Sequence, residues 1–113
     1  MSDQQQATIA AGDEILTLIN TFTCADARQG ELVSLMQQAI VDIHSRLDGF
    51  ISASVHASLD HTRVVTYMQW RTVDDFDRAE LDPKVRDNLA QVLNVAESAD
   101  PRLYRVTSVV QHS

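Results

Sequence analysis

A chain of 113 residues with 44% apolar content has room for one hydrophobic core and not for a second domain. Sixteen acidic residues against nine basic ones give a net charge of −7, a field that repels phosphate backbones, so nucleic acid is not an expected partner. No stretch reaches the roughly 18 consecutive apolar residues of a membrane-spanning helix, and the single cysteine, Cys24, offers neither an intramolecular disulfide nor a thiolate-built zinc site, which points to a reducing cytoplasm.

Met1 to Gly12 are polar or small, with neither a basic start nor an apolar core, and read as a flexible tail over residues 1–13 rather than a signal peptide or anchor. The folded domain is expected over residues 14–113. Glu14 to Thr23 is β-branched and free of Gly and Pro, as a first strand requires. Asp26 with Gln29 resembles a capping box, and Leu32, Met36, Ile40, Ile43 and Leu47 then recur at helical spacing over about 20 residues, until Asp48-Gly49 stops the helix.

Phe50 to Leu59 alternates apolar and polar residues with period two, Asp60-His61-Thr62 turns the chain, and Arg63 to Arg71 returns as the antiparallel partner. Thr72 with Asp75 caps a short helix. Asp82-Pro83 opens the next one, whose apolar stripe is Val85, Leu89, Val92, Leu93 and Ala96. After Asp100-Pro101, Leu103 to Gln111 is β-branched again and reads as the fourth strand.

The order β-α-β-β-α-β predicts an α+β, ferredoxin-like fold in which right-handed crossovers place the helices on one face of a four-stranded antiparallel sheet. The opposite face, with Ile15, Ile19 and Val65, is left uncovered within the chain. A bare apolar face of that kind predicts a homodimer packed sheet to sheet.

The run Gly49-Phe50-Ile51-Ser52-Ala53-Ser54-Val55-His56, then Thr62-Arg63-Val64-Val65-Thr66-Tyr67-Met68-Gln69-Trp70-Arg71 and on to Phe76, resembles the antibiotic-biosynthesis monooxygenase family. The likeness spans about residues 14 to 111. It implies a dimeric α+β barrel and, in the branch it is most similar to, oxidation of aromatic polyketide phenols by O2 without metal, flavin or haem. That branch resembles the chain at Trp70, carries an asparagine where this sequence has Thr66, and places a basic residue at Arg86. The haem-degrading branch resembles it at Asn20 and Trp70, but its haem-ligating histidine falls near Asn88, so the axial ligand is missing.

Read from the residues alone, Trp70 is either a pocket wall for a flat aromatic or a large core residue. Asn20 interrupts a strand of Leu, Ile and Phe and needs a hydrogen-bond partner or a ligand. Thr66, Met68 and Trp70 share one strand face, as do Asn20 and Phe22, so a cavity between sheet and helices would gather all five. His56, on a strand among serines, is the candidate general base. Tyr104 is placed to reach the pocket from the fourth strand, and Tyr67 points to the opposite face.

His44, His61 and His112 are dispersed and no carboxylate stands at ligand spacing, so no metal is expected. With three glycines there is no dinucleotide or phosphate loop. The expected function is cofactor-independent oxygenation of a small aromatic or polyketide-type phenol, with Trp70, Asn20, Arg86 and His56 catalytic and Thr66, Met68, Phe22 and Tyr104 binding substrate. A non-catalytic ligand-binding dimer, or a cyclase or isomerase on the same scaffold, is the alternative, motivated by Thr66.

Overall fold

Strand formation follows the β-branched and aromatic runs. In the computed structural model, which describes residues 6–113, these become β1 (Leu16–Thr23), β2 (Phe50–Ala57), β3 (Arg63–Trp70) and β4 (Ser98–Tyr104). The helices are α1 (Gln29–Asp42), α2 (Val73–Glu80) and α3 (Pro83–Val95). The sheet is antiparallel in the order β2-β3-β1-β4, the split β-α-β topology.

Register decides which residues share a face, because side chains alternate along a strand. Leu16, Leu18, Asn20 and Phe22 of β1 stand opposite Trp70, Met68, Thr66 and Val64 of β3. This is the helix-covered face. It divides into two apolar clusters: Phe22, Cys24, Leu32, Met36, Val64 and Val92 form one, while Met68, Trp70 and Ala79, backed by Ile40, Phe50 and Phe76, form the other. Thr17, Ile19 and Thr21 pair with Gln69, Tyr67 and Val65 on the outer face.

The expected caps of α2 and α3 are present. Thr72 Oγ1 accepts from the Asp75 amide at 3.1 Å, and Asp82 Oδ1 accepts from the Lys84 amide at 2.8 Å with Pro83 in the first turn. The start of α1 differs from the capping-box expectation. Asp26 opens a 3-10 turn, Asp26–Arg28, and makes no side-chain cap. Gln29 is buried instead and donates through Nε2 to the carbonyls of Ser58 and Arg63, tying the helix start to the β2–β3 hairpin.

The end of α1 also corrects the expected 20-residue helix. Ser45 Oγ donates to the Val41 carbonyl at 2.7 Å and His44 Nδ1 to the Ala39 carbonyl at 3.2 Å, so side chains occupy acceptors at the helix end. The chain tightens into a 3-10 turn, His44–Arg46. Gly49 does turn with φ of +87°, and its carbonyl accepts from Arg71 N at 2.8 Å, but it serves the entry to β2 rather than the helix end.

β4 lies earlier than Leu103–Gln111. The Glu97 amide donates to the Thr23 carbonyl at 2.8 Å directly after α3, so pairing with β1 begins at Ser98 and ends at Tyr104, where β1 begins. Pro101 is tolerated inside it because β4 is an edge strand with one side free of ladder bonds. β2 likewise ends at Ala57, leaving Leu59 96% exposed in the turn. The tail expected over 1–13 has no regular structure over residues 6–12, yet it is not unattached: Ala10 donates to and accepts from the Gln69 carboxamide, at 2.8 and 2.9 Å. The rest of that tail, residues 1–5, lies outside the described residues.

Candidate functional site

The two apolar clusters do not close on each other, and a cavity of about 200 Å³ remains between sheet and helices. Its floor is Leu18, Asn20 and Phe22 of β1, Thr66, Met68 and Trp70 of β3, and Ala99 and Pro101 of β4. Its roof includes Met36, Ala39 and Ile40 of α1, Phe76 and Ala79 of α2, and Val85, Asn88 and Val92 of α3. Leu89 and Leu93, both exposed, stand at its rim.

Five residues expected to converge, Asn20, Phe22, Thr66, Met68 and Trp70, do so because odd-numbered steps separate none of them across the β1–β3 register. Phe50 packs edge-on against Trp70, with ring centroids 5.6 Å apart, and holds the indole against the sheet. Two polar atoms of residues that line this cavity, Asn20 Oδ1 and Trp70 Nε1, are buried without a hydrogen-bond partner among the described residues. A buried donor or acceptor left unmet costs about 1–3 kcal/mol, so native proteins keep few of them, and those they keep call for an explanation.

The geometry has counterparts among known proteins. The sequence profile of the antibiotic biosynthesis monooxygenase family matches residues 15–91. The tetracenomycin-F1 monooxygenase of Streptomyces glaucescens is 38% identical over 80 residues, 71% of each chain. The chain belongs to the antibiotic biosynthesis monooxygenase family.

Solved structures of that fold agree at lower identity. A point mutant of SnoaB, a cofactor-independent oxygenase from Streptomyces nogalater, superposes with a TM-score of 0.79 at 19% identity, covering 88% of this chain and 99% of that one. The monooxygenase from the ActVA-Orf6 gene of Streptomyces coelicolor, in complex with nanaomycin D, gives a TM-score of 0.77 at 21% identity over 88% of this chain and 93% of that one.

Within this antibiotic biosynthesis monooxygenase fold, three of the expected site residues fall outside the cavity. His56 alternates to the outer face of β2, is exposed, and bonds through Nε2 to Ser54 Oγ at 2.9 Å. Arg86 points off α3 into solvent and donates through Nε to the Glu80 carbonyl at 3.4 Å. Tyr104 pairs with Thr17, an outer-face residue, so the earlier placement of β4 turns it away, and Leu103 takes the inward register opposite Leu18.

Two titratable residues, His44 and Glu80, line the cavity although the sequence alone did not assign them to it. His44 lines the wall just past α1, and burial lowers its pKa below the ordinary histidine value, partly offset by the Ala39 carbonyl and the charge of Asp82. Glu80, at the end of α2, has its carboxyl pKa raised by partial burial and by Asp77. Neither lies on a strand, and their approach to the cavity depends on how α1 and α2 end. The one available signal was the position of His44 four residues after Ile40 on the apolar side of α1.

Proposed function

We propose that the cavity binds a flat phenolic polyketide and promotes its oxygenation by O2, with no cofactor carrying the electrons. The observation that carries this reading is the pair of unmet polar atoms, Asn20 Oδ1 and Trp70 Nε1, on residues of a mostly apolar cleft whose other polar lining is Thr66, His44, Glu80 and Asn88. Such a cleft fits a ligand that is mostly ring surface with a few oxygen substituents. Trp70 donates to a phenolate or quinone-type oxygen, while the Asn20 carboxamide, presenting its oxygen or its NH2, meets a hydroxyl or a carbonyl. Four residues of register separate Asn20 from Trp70, about 13 Å of strand, which suits a fused ring system better than a single ring. The kinship with a tetracenomycin-F1 monooxygenase supports the same substrate class.

The chemistry needs no reductant from the protein. An activated ring methylene and one molecule of O2 become a ring carbonyl and one molecule of water: two C–H bonds break, one oxygen atom becomes the carbonyl, and the other leaves as water with both hydrogens. Carbon gives up four electrons and the two oxygen atoms take four. Deprotonating the conjugated phenol raises the electron density that O2 must accept, and a water-poor cleft strengthens every contact to the developing anion. This chain's part is to bind the ring system flat, orient it and remove a proton.

Oxygen uptake with anthrone-type and hydroquinone-type substrates, using protein freed of metal and flavin, tests the reading. The expected result is one O2 consumed per product above the spontaneous rate, with Trp70→Phe raising KM more than it lowers kcat. No uptake above the spontaneous rate across such a panel would sink it and favour a ligand-binding module, the reading to which Thr66 in place of the branch's asparagine lends weight.

A further inference from the structure

We infer that His44 is the general base of this site, taking the hydroxyl proton of the bound phenol on Nε2; the inference rests on the oxygenase reading above. Three features of its position lead there. His44 lines the same cavity as Asn20 and Trp70. Its Nδ1 lies 3.2 Å from the Ala39 carbonyl oxygen, which can only accept, so Nδ1 carries the hydrogen and Nε2 of the neutral ring is a bare acceptor. Nε2 makes no hydrogen bond among the described residues, on a side chain that is only partly buried.

The surroundings suit a base that must be neutral at rest and charged in the transition state. Partial burial keeps the free imidazole unprotonated near neutral pH. Once a proton arrives, the C-terminal end of α1 presents the Ala39 carbonyl oxygen to the ring, and a cation at a helix C-terminus is favoured. The Ala39 carbonyl, already bonded to the Ile43 amide at 2.8 Å, holds the ring's orientation through the exchange.

Other charges near the ring are few. Asp42 and Arg46 flank it on α1 and the following turn, Asp82 and the cavity-lining Glu80 come from the corner between α2 and α3, and on α3 the cavity-lining residues are uncharged while Lys84 and Asp87 face the end of α1 beside Asp42 and Ile43. The titratable residue of β2, His56, is on the far face of the sheet. In the proton transfer the substrate O–H breaks, Nε2–H forms, and the bonding pair stays on oxygen as the phenolate, so atoms and charge balance within the pair.

Two measurements on the full chain test the assignment separately from the oxygenase reading. In the first, the visible absorption of bound 1,8-dihydroxyanthraquinone reports whether the ligand is held as phenol or phenolate. Wild type is expected to bind the ionised form at a pH where the free compound is neutral, and His44→Gln, which keeps a hydrogen-bonding side chain but no base, is expected to bind it as the neutral phenol. In the second, the pH profile of oxygen uptake is expected to show an acidic limb below about pH 6.5 that disappears in His44→Gln, with kcat down about 10²- to 10⁴-fold and KM little changed. Imidazole added to His44→Ala is expected to restore part of the rate. Ionised ligand without oxygen uptake would leave His44 as the base and remove the oxygenase. Uptake with an unaltered acidic limb and rate in His44→Gln, or ligand equally ionised in both proteins, would remove His44 and leave the oxygenase. Failure of the anthraquinone to bind, together with no oxygen uptake, would overturn both.

Discussion

A carboxamide between Leu18 and Phe22 leaves Asn20 Oδ1 buried and unmet, and removing such an atom relieves a cost of about 1–3 kcal/mol. Asn20→Leu, close in volume and able to pack against Phe22 and Met68, is therefore expected to raise stability by about 1 kcal/mol, or roughly 4 °C in Tm for a domain of this size. The same substitution is expected to abolish or strongly weaken binding of phenolic ligands. Differential scanning calorimetry and a ligand titration on one preparation check both halves. A fall in Tm would mean that Asn20 is satisfied in the free protein, and the functional weight placed on it would go. Such opposition of stability and function is expected where a polar group is retained for a ligand.

At the scale of elements, the entry to β2 leaves no room for a side chain at Gly49. Gly49 adopts φ of +87°, and a Cβ there would overlap the Asp75 side chain at the start of α2. Asp75 is itself fixed by Thr72 Oγ1 at 2.9 Å and by an ion pair with Arg78, so it has little room to move. Gly49→Ala adds left-handed strain of about 1–2 kcal/mol to an overlap of about 1–3 kcal/mol. A loss of at least about 2 kcal/mol in chemical denaturation is expected, and a change within about 0.5 kcal/mol would show that α2 can shift away.

The turn after α1 predicts a pH dependence. Because His44 has a folded pKa below its unfolded value of 6.5, the unfolded chain binds more protons in acid. Its contribution to stability is complete above pH 6.5 and is lost as pH falls through the folded pKa. Glu80, with a raised carboxyl pKa, acts in the opposite sense and at lower pH, where its contribution is present below the unfolded value of 4.5 and lost as pH rises through the folded pKa. Tm measured from about pH 8 down to about pH 5 is expected to drop in wild type and to drop less in His44→Gln. Parallel curves would show that His44 titrates as it does in the unfolded chain.

For the whole molecule, the outer sheet face is the unfinished surface. Ile19, Val65 and Tyr67 lie on it half-buried, away from the helices, and the segment before β1 covers it near Thr17 and Gln69, where the Gln69 amide also donates to Thr17 Oγ1 at 3.0 Å. We propose that a second copy of the chain completes this face, since two-fold pairing presents identical apolar patches to each other. Two chains of net charge −7 repel, so salt is expected to favour the pair. Light scattering at micromolar protein is expected to give twice the 12.6 kDa chain mass. Val65→Glu, which buries a charge in the contact, is expected to shift the protein to monomers with little effect on chain folding, because the outer face takes no part in the two core clusters. A mass of 12.6 kDa for wild type would remove the sheet-to-sheet contact.

The β-branched run of β1, the period-two alternation of β2, the hairpin return into β3, the Thr72 and Asp82 caps and the Asp60-His61-Thr62 turn are local properties, and local chemistry decided them without reference to the rest of the chain. Because side chains alternate along any strand, Asn20 with Phe22, and Thr66 with Met68 and Trp70, each share a face, so half of the cavity was written in the strands. Other features depended on distant partners. β4 took its boundaries from the length of β1 and the short link from α3, not from its own β-propensity, so Tyr104 turned outward and Pro101 became a strand residue. His56 alternates correctly yet faces away, because a period-two pattern gives two faces and only packing against helices says which is inside. Arg86 and His44 sit one residue past cavity-lining Val85 and four past Ile40, and a helix turns about 100° per residue, so a small difference in where a helix ends determines which side chain meets the cavity.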